Sequence, residues 1–246
     1  MKRIIDILGS IIGLSFFSPI LLIIIFLVWF EDKKSPFFIA KRVGKNGKLF
    51  KMIKIRSMIV NAHKTGVDST SETDYRITSI GKFIRKYKID ELSQLWNVLL
   101  GDMSLVGPRP NVVNETNMYT NLEKNLLNVK PGITDFSSII FSDESKILND
   151  YSDPDLAYNQ LIRPWKSKLG LFYTYKNNIL IDFCIIFITL IGIISRKKSL
   201  KLIEKLLREL KADKDLVKIS TRREDLVPSP PPGSNEIVRN RNLTQF

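Results

Sequence analysis

The chain has one cysteine, Cys184, and one histidine, His63, in 246 residues. No disulfide can form within it, and no zinc site can be assembled from a single Cys and a single His. The use of one cysteine inside an apolar run fits a reducing compartment. No His-containing cluster surrounds His63, which reads as a surface residue and not as a ligand or base. Acidic residues are also in short supply: 25 Asp and Glu stand against 38 Lys and Arg, for a net charge of +13. Such a surface selects polyanionic partners, whether nucleic acid, anionic lipid or the phosphates of nucleotides and lipids. The basic residues are dispersed and no nucleic-acid motif accompanies them, which weakens the first of these. No internal repeat is present.

Two long apolar runs stand out. Residues Ile4 to Phe30 are apolar apart from Asp6 and a few small residues. Their length exceeds the apolar stretch of a signal peptide and no small-residue cleavage site follows, so a cleaved leader is not expected. About 20 apolar residues suffice to cross a bilayer, so a single span kinked at proline is one reading. Ser18-Pro19 in the middle of the run supports another, because proline removes a backbone donor and clashes with the preceding turn. Basic residues flank both ends: Lys2 and Arg3 before, Lys33, Lys34, Lys41 and Arg42 after. Cytoplasmic flanks are rich in Lys and Arg, so a segment that enters and leaves by one face is consistent with both. The second run, Ile179 to Ile194, is short for a span and reads as a core or interfacial helix. Leu200 to Leu210 alternates apolar positions at helical spacing with lysines, a basic amphipathic helix able either to lie on an anionic leaflet or to pack on the domain.

Between these runs the pattern is that of an α+β domain. Pro36 to Val43 and Lys48 to Ile55 are strand-like and flank Lys45-Asn46-Gly47, a hairpin signal. Met58 to Tyr75 reads as a helix start followed by a polar loop, and Ile77 to Lys86 as a short basic helix. Asp90 to Leu100 has helical apolar spacing and stops at Gly101. Asn114 to Asn128 reads as a further helix, Lys130-Pro131-Gly132 as a turn. We divide the chain into a membrane helix (1–32), a catalytic domain (33–198), a basic amphipathic helix (199–217) and a disordered Pro-rich tail (218–246).

The block from Lys88 to Pro110, KIDELSQLWNVLLGDMSLVGPRP, carries the chemistry. Asp90 and Glu91 stand at a helix start, where carboxylates serve any helix by capping N–H groups and opposing the dipole. Here cations crowd them: Arg85, Lys86 and Lys88 in sequence, and Arg109 held between Pro108 and Pro110. A helix N-terminus with arginines is an anion site. A carboxylate in such a site makes sense when it attacks the anion or binds its counter-ion. Aspartate can attack phosphorus to give an acyl phosphate, and Mg²⁺ takes few carboxylates together with substrate oxygens.

The stretches KRIIDILGSIIGLSFFSP, FFIAKRVGKNGKLFKMIKIRSM, RITSIGKFIRK, IDELSQLWNVLLGDMSLVGPRP and VKPGIT together resemble the bacterial monotopic phosphoglycosyl transferases, from Lys2 to about Leu190. The resemblance implies a re-entrant, non-spanning helix broken at Ser18-Pro19, at the cytoplasmic face of the bacterial inner membrane. It implies a two-step reaction in which Asp90 attacks the β-phosphate of a nucleoside-diphosphate sugar, usually a UDP-sugar. A polyprenol phosphate then accepts the sugar phosphate. Mg²⁺ is the implied cofactor, held by Asp90 with Glu91 assisting, and Lys54, Arg85 and Arg109 are the implied phosphate-binding cations. An oligomer is compatible with it. One stretch departs: after PGIT many members continue G-x-A-Q-V-x-G-R, whereas this chain has Asp135 to Glu144 without that arginine, so the donor sugar does not carry over. A reading of another class, a membrane-anchored basic module binding anionic lipid or nucleic acid without chemistry, uses the same charge.

Overall fold

The computed structural model describes residues 1–62 and 73–239. His63 and most of the polar loop that contains it lie outside them. Helix α1 (Lys2–Asp32) is followed by strands β1 (Phe37–Val43) and β2 (Leu49–Ile55), then by short helices α2 (Ser79–Lys86), α3 (Ile89–Leu92) and α4 (Leu95–Leu100). Strand β3 (Ser104–Val106), α5 (Val113–Asn117), β4 (Gly132–Thr134), α6 (Phe136–Ile140), α7 (Glu144–Asn149) and α8 (Pro154–Ala157) come next. The chain ends in α9 (Arg163–Lys176), α10 (Ile179–Ile194), α11 (Arg196–Glu209) and α12 (Lys214–Ser220). The α+β class expected from the sequence is what is found: helices dominate and the described strands form two two-stranded sheets.

The hairpin is antiparallel, with Phe38 opposite Lys54 and Arg42 opposite Phe50. Asn46 and Gly47 at its tip have φ of 56° and 75°, the left-handed conformation that Asn and Gly tolerate best. The second sheet pairs β3 and β4 in parallel, Ser104 with Gly132 and Val106 with Thr134. Its neighbours Gly107 and Gly132 touch backbone to backbone: a Cβ on Gly132 would sit 2.0 Å from the Gly107 nitrogen. Only glycine allows that approach, and it sets the exit of the chain into Pro108-Arg109-Pro110.

The main core joins α6, α9, α10 and α11 through Phe136, Ile140, Leu169, Tyr173, Ile185, Ile203 and Leu207. Helix α11 therefore turns its apolar face into the domain and leaves its lysines outside. Helix α10 buries Ile181, Asp182, Ile185 and Ile188 while Phe187 and Ile194 stay exposed.

Helix α1 is long and apolar enough to cross a membrane. Both of its ends are nevertheless fastened to the same domain. Lys2 Nζ bonds the Asp182 carboxylate at 2.5 Å and the Val106 carbonyl at 3.1 Å. Arg3 donates to the carbonyls of Val98 and Leu99 in the last turn of α4, where carbonyls run short of backbone donors. Buried Asp6 accepts from Ser104 Oγ and Leu105 N, both at 2.9 Å. At the other end Asp32 grips Arg56 at 2.5 and 2.7 Å, and Leu21, Ile24 and Val28 pack with Ile55, Ile84 and Ile89.

Several expectations are corrected. Helix α1 runs through Pro19 without interruption, because Ser18 Oγ donates to the Ser15 carbonyl at 2.8 Å and so replaces the donor that proline lacks. Asp90 to Leu100 is two helices, parted where Ser93 Oγ donates to the carbonyls of Asp90 and Ile53. Asn114 to Asn128 divides into α5 and a 3₁₀ turn, Glu123–Asn128. The expected free tail begins inside α12 and then lies against the domain as far as Arg239. Gln160 Nε2 donates to the Val238 carbonyl, Thr120 Oγ1 to the Pro232 carbonyl, and Ser229 N to the Gln160 carbonyl. Proline-rich chain loses little backbone entropy on docking and offers carbonyls that find donors there.

Candidate active site

Asp90 and Glu91 occupy the first turn of α3, which starts from Lys88 in a left-handed conformation (φ 54°). The hairpin and the α3–α4 pair are locked together by side chains. Asn97 gives its amide to the Lys51 carbonyl at 2.7 Å and takes the Ile53 N–H at 2.9 Å, acting as a strand-edge partner for β2. This sets Lys54 over α3, with its Nζ 3.7 Å from Asp90 Oδ2. Arg109 reaches α3 from the opposite side and holds Glu91 in a two-pronged bond of 2.7 and 3.1 Å, while also donating to the Ile133 carbonyl at 3.2 Å. Its backbone is fixed by the prolines on either side and by the Gly132 N–H to Pro108 carbonyl bond of 3.0 Å.

The two carboxylates thus differ. Glu91 is clamped. Asp90 accepts no side-chain hydrogen bond among the described residues, and its closest cation is Lys54. Burial pushes the Asp90 carboxyl above its ordinary range; Lys54 opposes that shift and the neighbouring Glu91 adds to it. Burial pushes Glu91 the same way, but Arg109, with Lys54 and Lys88, outweighs it and holds Glu91 well below the usual carboxylate range. Glu91 in turn raises the Arg109 guanidinium, which stays charged. Burial lowers the Lys88 ammonium. The result is one ionised carboxylate clamped by Arg109 beside one weakly held carboxylate, in a field of cations.

Lys54, Arg85 and Arg109, which the sequence singled out separately, line one polar cavity that opens beside the carboxylates. Ser18 and Pro19 do not belong to it; they sit midway along α1. The rest of the wall was not foreseen. Arg42, Asn111 and Tyr119 form one part, Asp135, Ser137, Glu144 and Lys166 another. In the same wall the buried pair Arg163–Glu123, at 2.8 Å and supported by Ser167 Oγ at 2.7 Å, ties α9 to the 3₁₀ turn. Glu123 was signalled by a capping box in which Thr120 Oγ1 takes the Glu123 N–H and Glu123 returns a bond to Thr120 N–H. Nothing local marks Arg163 or Lys166.

Among the described residues no group of three or more His, Cys, Asp or Glu is placed to hold a metal ion. Asp90 with Glu91 is a two-carboxylate set, which suits Mg²⁺ when substrate phosphates complete its shell.

A family model described as bacterial sugar transferase matches residues 1–196, the greater part of the chain. The chain belongs to the bacterial sugar transferase family. Among curated relatives of this family, the chain is 47% identical over 146 residues to a galactosyl transferase CpsE of Streptococcus agalactiae, covering 54% of this chain and 32% of that protein. It is 46% identical over 110 residues to a putative undecaprenyl-phosphate N-acetylgalactosaminyl 1-phosphate transferase of Bacillus subtilis, covering 45% of this chain and 62% of that one. To the UDP-N-acetylgalactosamine-undecaprenyl-phosphate N-acetylgalactosaminephosphotransferase of Aeromonas hydrophila it is 34% identical over 190 residues, 72% of this chain and 43% of the relative. The chain therefore spans less than two thirds of the length of each of these sugar transferases. Residues 197–246, with α11, α12 and the docked proline segment, lie beyond the part that the family model matches.

Proposed function

We propose that this chain transfers a sugar 1-phosphate from a nucleoside-diphosphate sugar, a UDP-sugar in the first instance, to a polyprenol phosphate such as undecaprenyl phosphate. The observation that carries this reading is the unequal treatment of two adjacent carboxylates by cations that line one cavity. A carboxylate held only by a cation at 3.7 Å is free to attack; its neighbour is not. In the first step an Asp90 carboxylate oxygen attacks the β-phosphorus. The bond from that phosphorus to the bridging oxygen breaks, and UMP leaves. In the second step a phosphate oxygen of the polyprenol phosphate attacks the same phosphorus, the acyl-phosphate bond breaks, and Asp90 is returned as carboxylate beside polyprenol-diphospho-sugar. Lys54, Arg85 and Arg109 bind the equatorial and leaving oxygens, where preorganised charge is most effective. Glu91 keeps Arg109 aimed. Asp90 and Glu91 would hold Mg²⁺, which when bound neutralises phosphate charge that would otherwise repel the nucleophile.

Membrane placement follows from α1. A helix of 31 residues is about 46 Å long, enough to leave one leaflet and more. With Lys2, Arg3 and Asp6 at one end and Asp32 at the other bound to one polar domain, its two ends belong on the same side, and the exposed face bearing Ile12, Phe16, Leu22 and Phe26 enters the lipid. We assign that side to the cytoplasmic face of the inner membrane, where nucleotide sugars are made. This placement, with both ends on one side and the apolar face against the lipid, puts a lipid phosphate within reach of a carboxylate that also meets a soluble donor.

A non-catalytic anion-binding module explains the charge but not Asp90, since a buried, unbonded carboxylate weakens the binding of any anion around it. The discriminating experiment is UMP release from a panel of UDP-sugars with polyprenol phosphate and Mg²⁺, wild type against Asp90→Asn. Release by the wild type and none by the variant supports the enzyme; no release from any donor favours the module.

A further inference from the structure

The cavity wall has two parts of different chemistry, one along the hairpin and one along α6, α7 and α9. Resting on the proposed reaction, we infer that the first arm, along the hairpin, holds the nucleoside and that the second, along α6, α7 and α9, holds the sugar. A diphosphate cleaved at Asp90 carries these two substituents on either side of the phosphates.

The first arm follows the strands. Arg42 lies opposite Phe50 and Lys54 opposite Phe38, so the two side chains share a face and are four residues apart along the ladder. At about 3.3 Å per residue that is roughly 13 Å, a reach suited to a nucleoside extending from its 5′-phosphate. The loop after Arg109 is pinned to the same place, since Val43 N–H bonds the Asn111 carbonyl at 3.0 Å. Asn111 Nδ2 donates to Tyr119 Oη at 2.8 Å. Burial, with Glu115 and Glu123 nearby, pushes the Tyr119 phenol up, so it remains a neutral hydroxyl. An amide fixed through one donor keeps another donor and an acceptor for the edge of a base, and pyrimidine edges are told apart by that pairing. Tyr119 itself is buried against Leu126 and Leu171, so it holds the amide in place.

The second arm has no such amide. It carries Ser137, Ser145 and the ion pair of Glu144 with Lys166, and Asp135 whose carboxylate is taken up by Ser137 and Ser138. Asp135 and Glu144 are close enough to Arg109 to strengthen its charge. Short hydroxyls and opposed charges match the hydroxyls of a sugar ring. This arm contains Asp135 to Glu144, the stretch in which the chain departs from the wider pattern.

The test separates the two halves of the donor. UDP-, CDP- and dTDP-forms of one sugar, and UDP-sugars differing at one ring substituent, are compared, with inhibition by UMP read alongside. Asn111→Asp, which reverses one donor, raises the UMP inhibition constant about tenfold, or about 1.4 kcal/mol, narrows the preference for uridine, and keeps the ranking of sugars. Lys166→Met reorders the sugars and keeps UMP inhibition. Tyr119→Phe, which releases the amide, is the second variant should Asn111→Asp melt early. Asn111 variants that reorder sugars while UMP inhibition stays put, or a Lys166→Met protein that loses UMP inhibition, overturn the assignment. A wild-type protein that releases no UMP from any donor, yet is protected from heat by UMP with the same dependence on Asn111, instead overturns the reaction and leaves the nucleoside arm standing.

Discussion

Replacing Arg109 with methionine removes the two-pronged clamp on Glu91 and leaves its charge in a confined site. Breaking a fully buried pair costs about 3–5 kcal/mol. Here the Arg109 side chain is 26% exposed and that of Glu91 17%, so solvent takes up part of the loss. We expect about 2 kcal/mol. For a chain of this size that is a fall in Tm of about 4–8 °C, readable by differential scanning fluorimetry in detergent. Adding Glu91→Gln removes the stranded charge and should return at least about 1 kcal/mol of it. Activity should not follow stability. Loss of a preorganised donor to the transferring phosphate costs about 10²–10³ in rate, and neither Glu91→Gln nor a restored Tm replaces it. Arg109→Lys keeps the charge but not the fork, and falls between. An Arg109→Met protein that melts like wild type would refute the clamp. A double variant that recovers both Tm and turnover would show that Arg109 only supports the fold.

The pH dependence of stability should carry the mark of the desolvated Asp90. In the metal-free chain its carboxyl sits above the ordinary value of about 3.9, so the mark is read on stability in a chelating buffer and not on turnover with Mg²⁺, which favours the ionised form. The same shift means that ionised Asp90 costs stability once pH rises above the ordinary carboxylate value. Asp90→Asn should therefore raise the Tm at neutral pH in a chelating buffer, and an unchanged or lower Tm counts against it. Gly132→Ala places a Cβ 2.0 Å from backbone that cannot give way; we expect about 1–3 kcal/mol of destabilisation and loss of turnover as the Arg109 loop shifts. Gly47→Ala, at φ 75° with open space around it, should cost about 1–2 kcal/mol and leave turnover intact. In a Cys184→Ser background, a cysteine ahead of Met1 and one at Lys34 should both react with an impermeant maleimide from the cytoplasmic side alone; labelling from opposite sides would restore the spanning reading of α1.

Local chemistry made much of this legible. Asn46-Gly47 announced the hairpin because few residues accept positive φ twice in succession, and Gly101 (φ 98°) ended α4 where the pattern stopped. Lys54, Arg85 and Arg109 line one cavity, with Asp90 3.7 Å from Lys54 and Glu91 2.7 Å from Arg109. What escaped was decided by tertiary partners. Ser93 splits a helix because the Ile53 carbonyl is there to receive its hydroxyl. Ser18 keeps α1 helical past a proline, a rescue that a propensity argument does not count. The proline segment docks because Gln160 and Thr120, far off in sequence, supply its donors. Tyr119 and Lys166 meet in one cavity wall only once α9 has packed on the 3₁₀ turn through Arg163 and Glu123.

The most direct test of the account is mass spectrometry of the purified protein incubated with UDP-sugar and Mg²⁺ and no lipid acceptor. The account predicts a phosphosugar adduct on the peptide containing Asp90, formed together with UMP and discharged when polyprenol phosphate is added. Turnover that proceeds with no adduct, or that survives Asp90→Asn, would contradict it.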